Sequence, residues 1–234
     1  GTLLWRQEYA TDFDGSYTRK CLVDQAGATY VLGLGSGPNG LVTTVRKFAP
    51  DGTALWSWFD VGIGGPVNMK FTPDSALVIA HRGQVGNANG YTKLDRDGAT
   101  VWSIGNVTSF TVGDLAGDAS GNTYLVSTGA QSGSNAVVRK VSPTGAEIWQ
   151  ETYPITAFRV EVGTDQAPVL SGFPLNGSGG AAFLKADADG TQLWVNNDAD
   201  GVNNFLLHAQ LMLDANNNAY LCAGVLFNMG ICKV

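Results

Sequence analysis

One short motif recurs along the chain and restricts the folds that the chain can adopt. In each copy a lysine is followed five residues later by a glycine, and a tryptophan comes four residues after that. The four complete copies are Lys47-Gly52-Trp56, Lys93-Gly98-Trp102, Lys140-Gly145-Trp149 and Lys185-Gly190-Trp194. A fifth copy is divided between the chain ends, with Lys233 at one end and Gly1 and Trp5 at the other. Self-similarity at a fixed period indicates a repeat architecture.

Five units of about 47 residues account for the whole sequence, so we predict a single domain over residues 1–234. Within a unit, short apolar runs alternate with clusters of Gly, Asn, Asp and Pro, which is typical of strands joined by turns. One unit, for example, is predicted to have strands over residues 157–164, 168–172, 181–186 and 191–195. Four strands per repeat of this length are the signature of a propeller blade. The sequence therefore predicts an all-β, five-bladed β-propeller with four-stranded blades.

The division of the motif between the chain ends predicts how the last blade is completed. We expect the N-terminal strand, residues 2–8, to pair with the C-terminal strands and so hide two sheet edges. The motif glycine is expected in a hairpin turn at positive φ, and the tryptophan is expected to be buried between blades. The motif lysine is expected to lay its stem along the tryptophan and keep its amine in water.

A second pattern recurs within the chain and resembles the repeats of a known family. Asp118, Gly121, Asn122 and Tyr124 precede the Lys140–Trp149 copy of the motif, and most other units carry weaker versions. The combined order resembles the bacterial β-propeller repeats called SBBP, and more distantly the repeats of quinoprotein-like propellers. The resemblance covers essentially the whole chain. It implies a propeller fold and an extracytoplasmic bacterial or phage setting (secreted, cell surface or virion), and it implies no particular reaction.

Candidate ligand-binding residues come from the first strand of each unit, because these strands line the central channel of a propeller. We align the strands on Asp24, Asp74, Asp118, Asp165 and Asp214, and period-two alternation then places polar side chains on one face. The resulting candidates are Lys20, Asn68, Lys70, Asp114, Arg159, Glu161, His208 and Gln210. Three interpretations remain open: the charges pair with one another around water, they bind a small molecule or ion, or a one-residue shift exchanges the two faces.

One segment resembles a calcium-binding loop. Asn196, Asp198 and Asp200 supply oxygen ligands at alternate positions, and Gly201 follows them. Leu207 stands where such a loop carries its bidentate Glu, so the alternative is an Asx-rich turn. No other cofactor is expected.

A different loop is the candidate contact for a protein partner. Leu226, Phe227 and Met229 lie between Gly224 and Gly230, and they form an apolar spot if they are exposed. The alternative is that this loop folds back onto its own blade.

Charge and motif content limit the function classes. The net charge of −6 argues against a surface built for nucleic acid or anionic lipid, and no apolar run is long enough to insert into a membrane. No nucleophile, phosphate-binding loop or metal-ligand spacing accompanies His208 and Glu161. We therefore predict a non-catalytic binding propeller that recognises a surface ligand such as a glycan. The alternative is a structural or docking component of a phage or cell-surface assembly, and a small-molecule enzyme ranks third.

Overall fold

The computed structural model describes residues 2–6, 14–37, 40–60, 63–83, 89–105, 110–129, 134–175, 180–197, 210–225 and 228–233. Every regular element within these ranges is a β-strand. The strands fall into two compact units. Unit 1 comprises Gly1–Phe71 and Ser75–Thr108, and unit 2 comprises Thr72–Asp74 and Ser109–Val234. Across the same ranges there is no helix with the length and hydropathy needed to cross a bilayer.

Unit 1 contains two four-stranded antiparallel sheets in which each strand pairs with the next one along the chain. The first sheet consists of β1 (Asp14–Val23), β2 (Thr29–Gly37), β3 (Gly40–Phe48) and β4 (Ala54–Asp60). The second consists of β5 (Ile63–Phe71), β6 (Leu77–Gly83), β7 (Gly90–Leu94) and β8 (Thr100–Gly105). This up-and-down order is the strand order of a propeller blade.

Unit 2 continues the same plan with three sheets. The strands of its first sheet are β9 (Phe110–Gly117), β10 (Thr123–Gly129), β11 (Ala136–Val141) and β12 (Glu147–Tyr153). Those of its second are β13 (Ile155–Val162), β14 (Pro168–Pro174), β15 (Ala182–Ala186) and β16 (Gln192–Asn197), which confirms the four strands predicted there. The last sheet has three strands, β17 (Gln210–Leu213), β18 (Ala219–Val225) and β19 (Asn228–Lys233).

The same tight turn recurs at one end of these sheets. At the β9–β10 turn, Gly121 N donates to Asp118 O at 2.9 Å and Asp118 N donates to Asn122 O at 3.0 Å. This is a three-residue hairpin loop whose last loop residue is left-handed. The six left-handed glycines in such turns have φ between 80° and 91°, and they are Gly27, Gly52, Gly98, Gly121, Gly145 and Gly190. The predicted positive φ at the motif glycine is therefore confirmed at all four complete copies.

Apolar faces of successive sheets form the core within each unit. In unit 1, Leu32 and Val45 from the first sheet pack with Met69 and Ile79 from the second, and all four are fully buried. In unit 2, one cluster joins the first and second sheets and another joins the second and third. Burial of this apolar area, at about 25 cal/mol per Å², is the main force that holds neighbouring sheets together.

Two of the motif lysines, Lys93 and Lys140, are buried and do not keep the amine in water, contrary to prediction, whereas Lys47 and Lys185 are partly exposed. Lys140 is only 7% exposed, and its Nζ donates to Ala188 O at 3.0 Å and lies 3.3 Å from Asp118 Oδ2. Trp149 Nε1 donates to the same oxygen at 3.0 Å, and its ring covers Gly190. We call this arrangement the Lys–Trp clamp. The amine is buried because its acceptor is the backbone of the next hairpin rather than solvent.

Unit 1 repeats the clamp with other residues. Lys47 Nζ and Trp56 Nε1 donate to Arg96 O at 3.0 and 3.1 Å, and the Trp56 ring covers Gly98. Of the five motif tryptophans, Trp102 is fully buried and the others are partly exposed. The prediction of buried tryptophans is therefore confirmed for Trp102, while Trp5, Trp56 and Trp149 stay partly exposed where their rings cover a turn glycine.

The N-terminal segment shares this contact without forming the predicted strand. Trp5 Nε1 donates to Pro50 O at 2.9 Å, and the indole ring covers Gly52. Residues 2–6 carry no strand, and Leu3 and Leu4 are 77% and 88% exposed. Among the described residues, the predicted pairing of this segment with β19 is therefore absent. The segment is anchored through the Trp5 side chain rather than through strand pairing.

Candidate binding site on the first strands

The first strand of every four-stranded sheet carries one extra residue at the same point of its register. In β1, Thr18 lies opposite Gly33 and Lys20 lies opposite Leu32, so Arg19 has no partner position on β2. The equivalent extra residues are Val67 in β5, Gly113 in β9 and Phe158 in β13. A bulge of this kind bends the strand and redirects the side chains that follow it.

The residue directly after each bulge is polar or charged. These residues are Lys20 and Asn68 in unit 1 and Asp114 and Arg159 in unit 2. Gln210 occupies the equivalent register position in β17, opposite Cys222. We call these positions the bulge row. The positions two residues further on share its face and form the second row, which contains Leu22, Lys70, Ala116, Glu161 and Met212.

This register corrects the predicted alignment in two sheets. The turns after β5 and β13 begin at Thr72 and Gly163, not at Asp74 and Asp165, because their left-handed residues are Ser75 and Gln166. Here the aspartate lies inside the turn instead of before it, and its carboxylate still accepts a turn hydrogen bond, as from Ala167 N to Asp165 Oδ1 at 3.2 Å. Alternate residues of a strand lie on the same face, so an alignment that is wrong by two residues leaves the candidates on the predicted face. In these two sheets it moves each candidate from one row to the other.

Within unit 1 the two rows bring three of the predicted residues together. Lys20 Nζ donates to Asn68 Oδ1 at 2.7 Å, and the same oxygen accepts from Met69 N at 2.9 Å. Lys70 follows on the same face of β5, and all three polar side chains are half-buried. The rows of unit 1 therefore carry two positive charges, one amide and no acidic residue.

Within unit 2 the rows combine both charges. Asp114 is 1% exposed, and its Oδ2 accepts from Val160 N, directly after the bulge of β13, at 3.3 Å. Arg159 Nη1 donates to Phe158 O at 2.8 Å. Arg159 and Glu161 are half-buried, and Gln210 is exposed. These rows hold hydrogen-bond donors and acceptors close together on neighbouring strands.

The remaining predicted site residues lie apart from these rows. His208, Asp198, Asp200, Leu226 and Phe227 fall outside the described residues. Asn196 is exposed in β16 opposite Phe183, and the rest of the predicted calcium-binding segment lies outside the described residues, so that site stays a prediction.

Two further placements complete this comparison. Met229 lies in β19 opposite Gly224. Over the described part of the chain, no three His, Cys, Asp or Glu residues lie close enough to hold a metal ion.

His81 is a buried polar residue that lies apart from the rows and was not among the predicted site residues. It lies inside β6 and is 3% exposed, with Nε2 3.3 Å from Thr92 Oγ1. Burial lowers the pKa of His81 to about 4, although the charge of Asp60 and the Arg82 backbone act in the opposite direction. The signal in the sequence is Gly90, which lies opposite His81 and whose absent Cβ would come within 3.0 Å of the imidazole.

Comparison with known proteins identifies the fold class. No known protein family matches the sequence, and no curated protein matches it. The chain is similar to the WD40 domain of Neurospora crassa Pan2, with 10% identity and a TM-score of 0.60, over 96% of this chain and 64% of that one. It is also similar to a streptogramin B lyase, with 11% identity and a TM-score of 0.58, over 97% and 82% of the two chains.

A third similar structure is the β-propeller domain of the Trilobed protease from Pyrococcus furiosus. It shares 5% identity with this chain at a TM-score of 0.53, over 96% of this chain and 82% of that one. These likenesses define the chain as an all-β protein with the fold of β-propellers. The number of blades and the resemblance to SBBP-type repeats stay predictions. Since such neighbours include enzymes and non-enzymes, the fold does not select a function.

Proposed function

We propose that this protein is a non-catalytic binding propeller whose bulge and second rows recognise a glycan. The observation that carries the proposal is the recurrence of polar side chains directly after a bulge, on strands where the next residue, as at Met69, Val160 and Leu211, is buried in the core. A sugar presents hydroxyl groups that donate and accept, so it is matched by a surface that mixes Lys and Arg donors with carboxylate and amide acceptors. Bulges are over-represented beside functional sites, where they direct side chains toward a ligand.

The turn end of the sheets is the less suitable binding surface. Many of its carboxylates already accept backbone hydrogen bonds of their own turns, as Asp118 Oδ1 does from Ser120 N and Asn122 N. Asp214 Oδ1 accepts in the same way from Asn216 N and Asn218 N. A ligand would have to displace these bonds, which favours a site on the rows instead.

We further propose that the five sheets are the blades of a five-bladed propeller and that Trp5 is the fifth copy of the motif tryptophan. Trp5 supports this proposal, because it contacts the hairpin of the first sheet as Trp56 and Trp149 contact the hairpins that follow them. We also propose an extracytoplasmic location, which the low content of charged residues and the Gly-, Asn- and Ser-rich loops support.

Glycan binding can be tested on the intact chain. A glycan array identifies ligands, and calorimetry with the best oligosaccharide compares wild type with Arg159→Gln and Gln210→Ala. We expect each substitution to weaken binding about ten-fold, as for the loss of a charge-assisted or multiple hydrogen bond. Arg139→Gln is the matched control, because Arg139 is half-buried on β11 and bonds to Gln150 rather than to a row residue. Equal affinity in all four proteins, or no binding to any glycan, would overturn the proposal.

A second candidate function is docking within a larger surface assembly. One observation favours it: the residue before the motif tryptophan is an exposed aliphatic side chain in every repeat. These residues are Leu4, Leu55, Val101, Ile148 and Leu193. Light scattering of the pure chain and of a chain with Leu55, Ile148 and Leu193 changed to Thr distinguishes the candidates. Self-association that the substitutions abolish favours docking, while unchanged monomers favour ligand binding.

A further inference from the structure

The rows of unit 1 differ in charge from those of unit 2, and this difference narrows the class of glycan. Resting on the proposed function above, we propose that Lys20, Asn68 and Lys70 bind the anionic group, a carboxylate or a sulfate ester, of an acidic saccharide. The shared chemistry is a compact oxyanion attached to a sugar ring. The two sources of that oxyanion are separated by the experiment below.

The three side chains form one group on neighbouring strands. The 2.7 Å hydrogen bond joins Lys20 on β1 to Asn68 on β5, and Lys70 lies two residues beyond Asn68 on the same face. Alternate residues of a strand are about 7 Å apart, so one ligand group can lie within reach of Asn68 and Lys70. Asn68 Oδ1 accepts from both Lys20 Nζ and Met69 N, which fixes the orientation of the amide.

The distribution of lysines along the sequence distinguishes Lys20 and Lys70 from the others. The sequence has seven lysines, and five of them belong to the repeat motif: Lys47, Lys93, Lys140, Lys185 and Lys233. The other two are Lys20 and Lys70. A motif lysine is needed to build a blade, as the Lys–Trp clamp shows, whereas neither Lys20 nor Lys70 occurs at a position that the repeat requires to be lysine. The equivalent row positions in unit 2 carry Asp114 and Glu161 among others.

Charge and burial make this group suited to an oxyanion. The chain has a net charge of −6, and Lys20 and Lys70 place two positive charges on the rows of unit 1. Lys20 and Lys70 are half-buried, so an ion pair formed there is screened less by water than one on the open surface. An ammonium group binds carboxylate or sulfate as a point charge, and the amide can hydrogen-bond an adjacent sugar hydroxyl.

The test compares matched acidic and neutral saccharides by calorimetry with the full chain. The first pair is oligogalacturonate and its methyl ester, and the second is a sulfated galactan oligosaccharide and its desulfated form. We expect wild type to bind the acidic member of at least one pair about ten-fold more tightly than its neutral partner. The pair that shows the difference identifies the oxyanion. Raising the salt concentration should reduce that preference.

Substitutions then test whether the preference for the acidic saccharide depends on Lys20 and Lys70. Lys20→Gln and Lys70→Gln should each remove most of it, and Lys70→Arg should retain it because the charge is kept. Arg96→Gln is the control, since it removes an exposed positive charge of unit 1 from a turn distant in sequence from the rows. Circular dichroism and the thermal midpoint establish that each variant is folded.

The outcomes separate this inference from the proposed function. Tight binding of neutral and acidic members alike, or a preference that both Lys→Gln variants keep, overturns the inference and leaves glycan recognition standing. A failure to bind any saccharide overturns both. A preference that Arg96→Gln also abolishes reflects the overall charge of the chain and likewise overturns the inference.

Discussion

Lys140 and Trp149 face each other across β11 and β12 and donate to one shared acceptor, the carbonyl oxygen of Ala188. Burial lowers the pKa of Lys140, but the neighbouring Tyr124 hydroxyl and Asp118 carboxylate outweigh it and the pKa is raised. The lysine is therefore charged at neutral pH. Two donors from one sheet thus hold the turn of the next, and the same geometry recurs at Lys47 and Trp56.

Removing either donor of the clamp should destabilise the protein by different amounts. Lys140→Met leaves the buried Asp118 carboxylate without its cation, and we expect a loss of about 2 kcal/mol in the free energy of unfolding. Trp149→Phe removes one hydrogen bond and keeps most of the ring, so about 1 kcal/mol is expected. Urea denaturation monitored by circular dichroism measures both. Glu147→Gln on exposed β12 is the control, and a Lys140→Met midpoint equal to that of the control would contradict the clamp.

Glycine substitutions should distinguish backbone strain from contact with the tryptophan. Gly27 and Gly98 have φ of 82° and 87°, so alanine at either site costs about 1–2 kcal/mol through the left-handed backbone. At Gly98 a Cβ would also lie 2.8 Å from the Trp56 ring, whereas at Gly27 it would meet Pro50 at 3.3 Å. Gly98→Ala should therefore be the more destabilising variant in thermal melts. Equal losses would show that the ring can move aside freely.

The anchor of the N-terminal segment leads to a third prediction. Trp5→Ala removes the bond to Pro50 and the cover over Gly52, so it should lower the thermal midpoint as Trp56→Ala does. Deleting residues 1–8 removes the same contact and no strand of the described residues, so it should lower the thermal midpoint by a similar amount. A truncated chain with an unchanged midpoint would mean that the N-terminus does not belong to the repeat.

Acid should weaken the fold through His81. Its pKa in the folded protein, about 4, lies below the ordinary 6.5, so protons bind the unfolded chain more readily. The stabilisation is complete above pH 6.5 and is lost as the pH falls toward 4, by roughly 3 kcal/mol in total. Urea denaturation between pH 7.5 and 4 measures the loss, which His81→Gln should reduce.

The pH range over which stability is lost distinguishes the titration of His81 from that of the carboxylates. The side-chain hydrogen bond from Asn218 is the largest contribution that lowers the pKa of Asp214, to about 2. Stability that depends on this carboxylate is lost only between its ordinary value of 3.8 and about 2. A wild-type curve that is flat from pH 6.5 to 4 would therefore contradict the assignment to His81.

Cysteine reactivity should follow exposure. Cys21 is exposed on β1 and Cys222 is half-buried on β18, and both are free thiols. In the native protein Cys21 should react rapidly with Ellman's reagent, and Cys222 should react more slowly. Under denaturing conditions without reductant, we expect three thiols. In the register of β18 and β19, Cys232 lies opposite Leu221 rather than Cys222, which disfavours a bridge between those two cysteines. Finding one thiol would contradict this.

The parts of the fold that depend on local backbone chemistry could be predicted from sequence. Gly52, Gly98, Gly145 and Gly190 mark their turns because a left-handed residue is required there. The turns at Ser75 and Gln166 could not be placed in the same way, because their left-handed residues are not glycines. Asp74 and Asp165 then shifted the alignment by two residues.

The candidate site was only partly predictable for a different reason. Alternation identified Lys20, Asn68, Asp114 and Arg159 as polar positions on one face, but the alignment on aspartates placed Asn68 and Arg159 two residues out of register with the other two. The bulges that unite them leave no mark in a single sequence, since the extra residues are as dissimilar as Arg19, Gly113 and Phe158. The burial of Lys140 was also missed, because its acceptor is a backbone carbonyl 48 residues away.

The repeated bulge determines which residues can be substituted without loss of the fold. It offsets the bulge row from the buried positions that follow it, Met69, Leu115, Val160 and Leu211, which form the core. The polar residues of the bulge row and the core residues are thus different positions on the same strands. A library that randomises Lys20, Asn68, Arg159 and Gln210 and leaves the buried Asp114, the tryptophans, the turn residues and the apolar positions untouched should yield many folded proteins, so the chain is a starting scaffold for new binders.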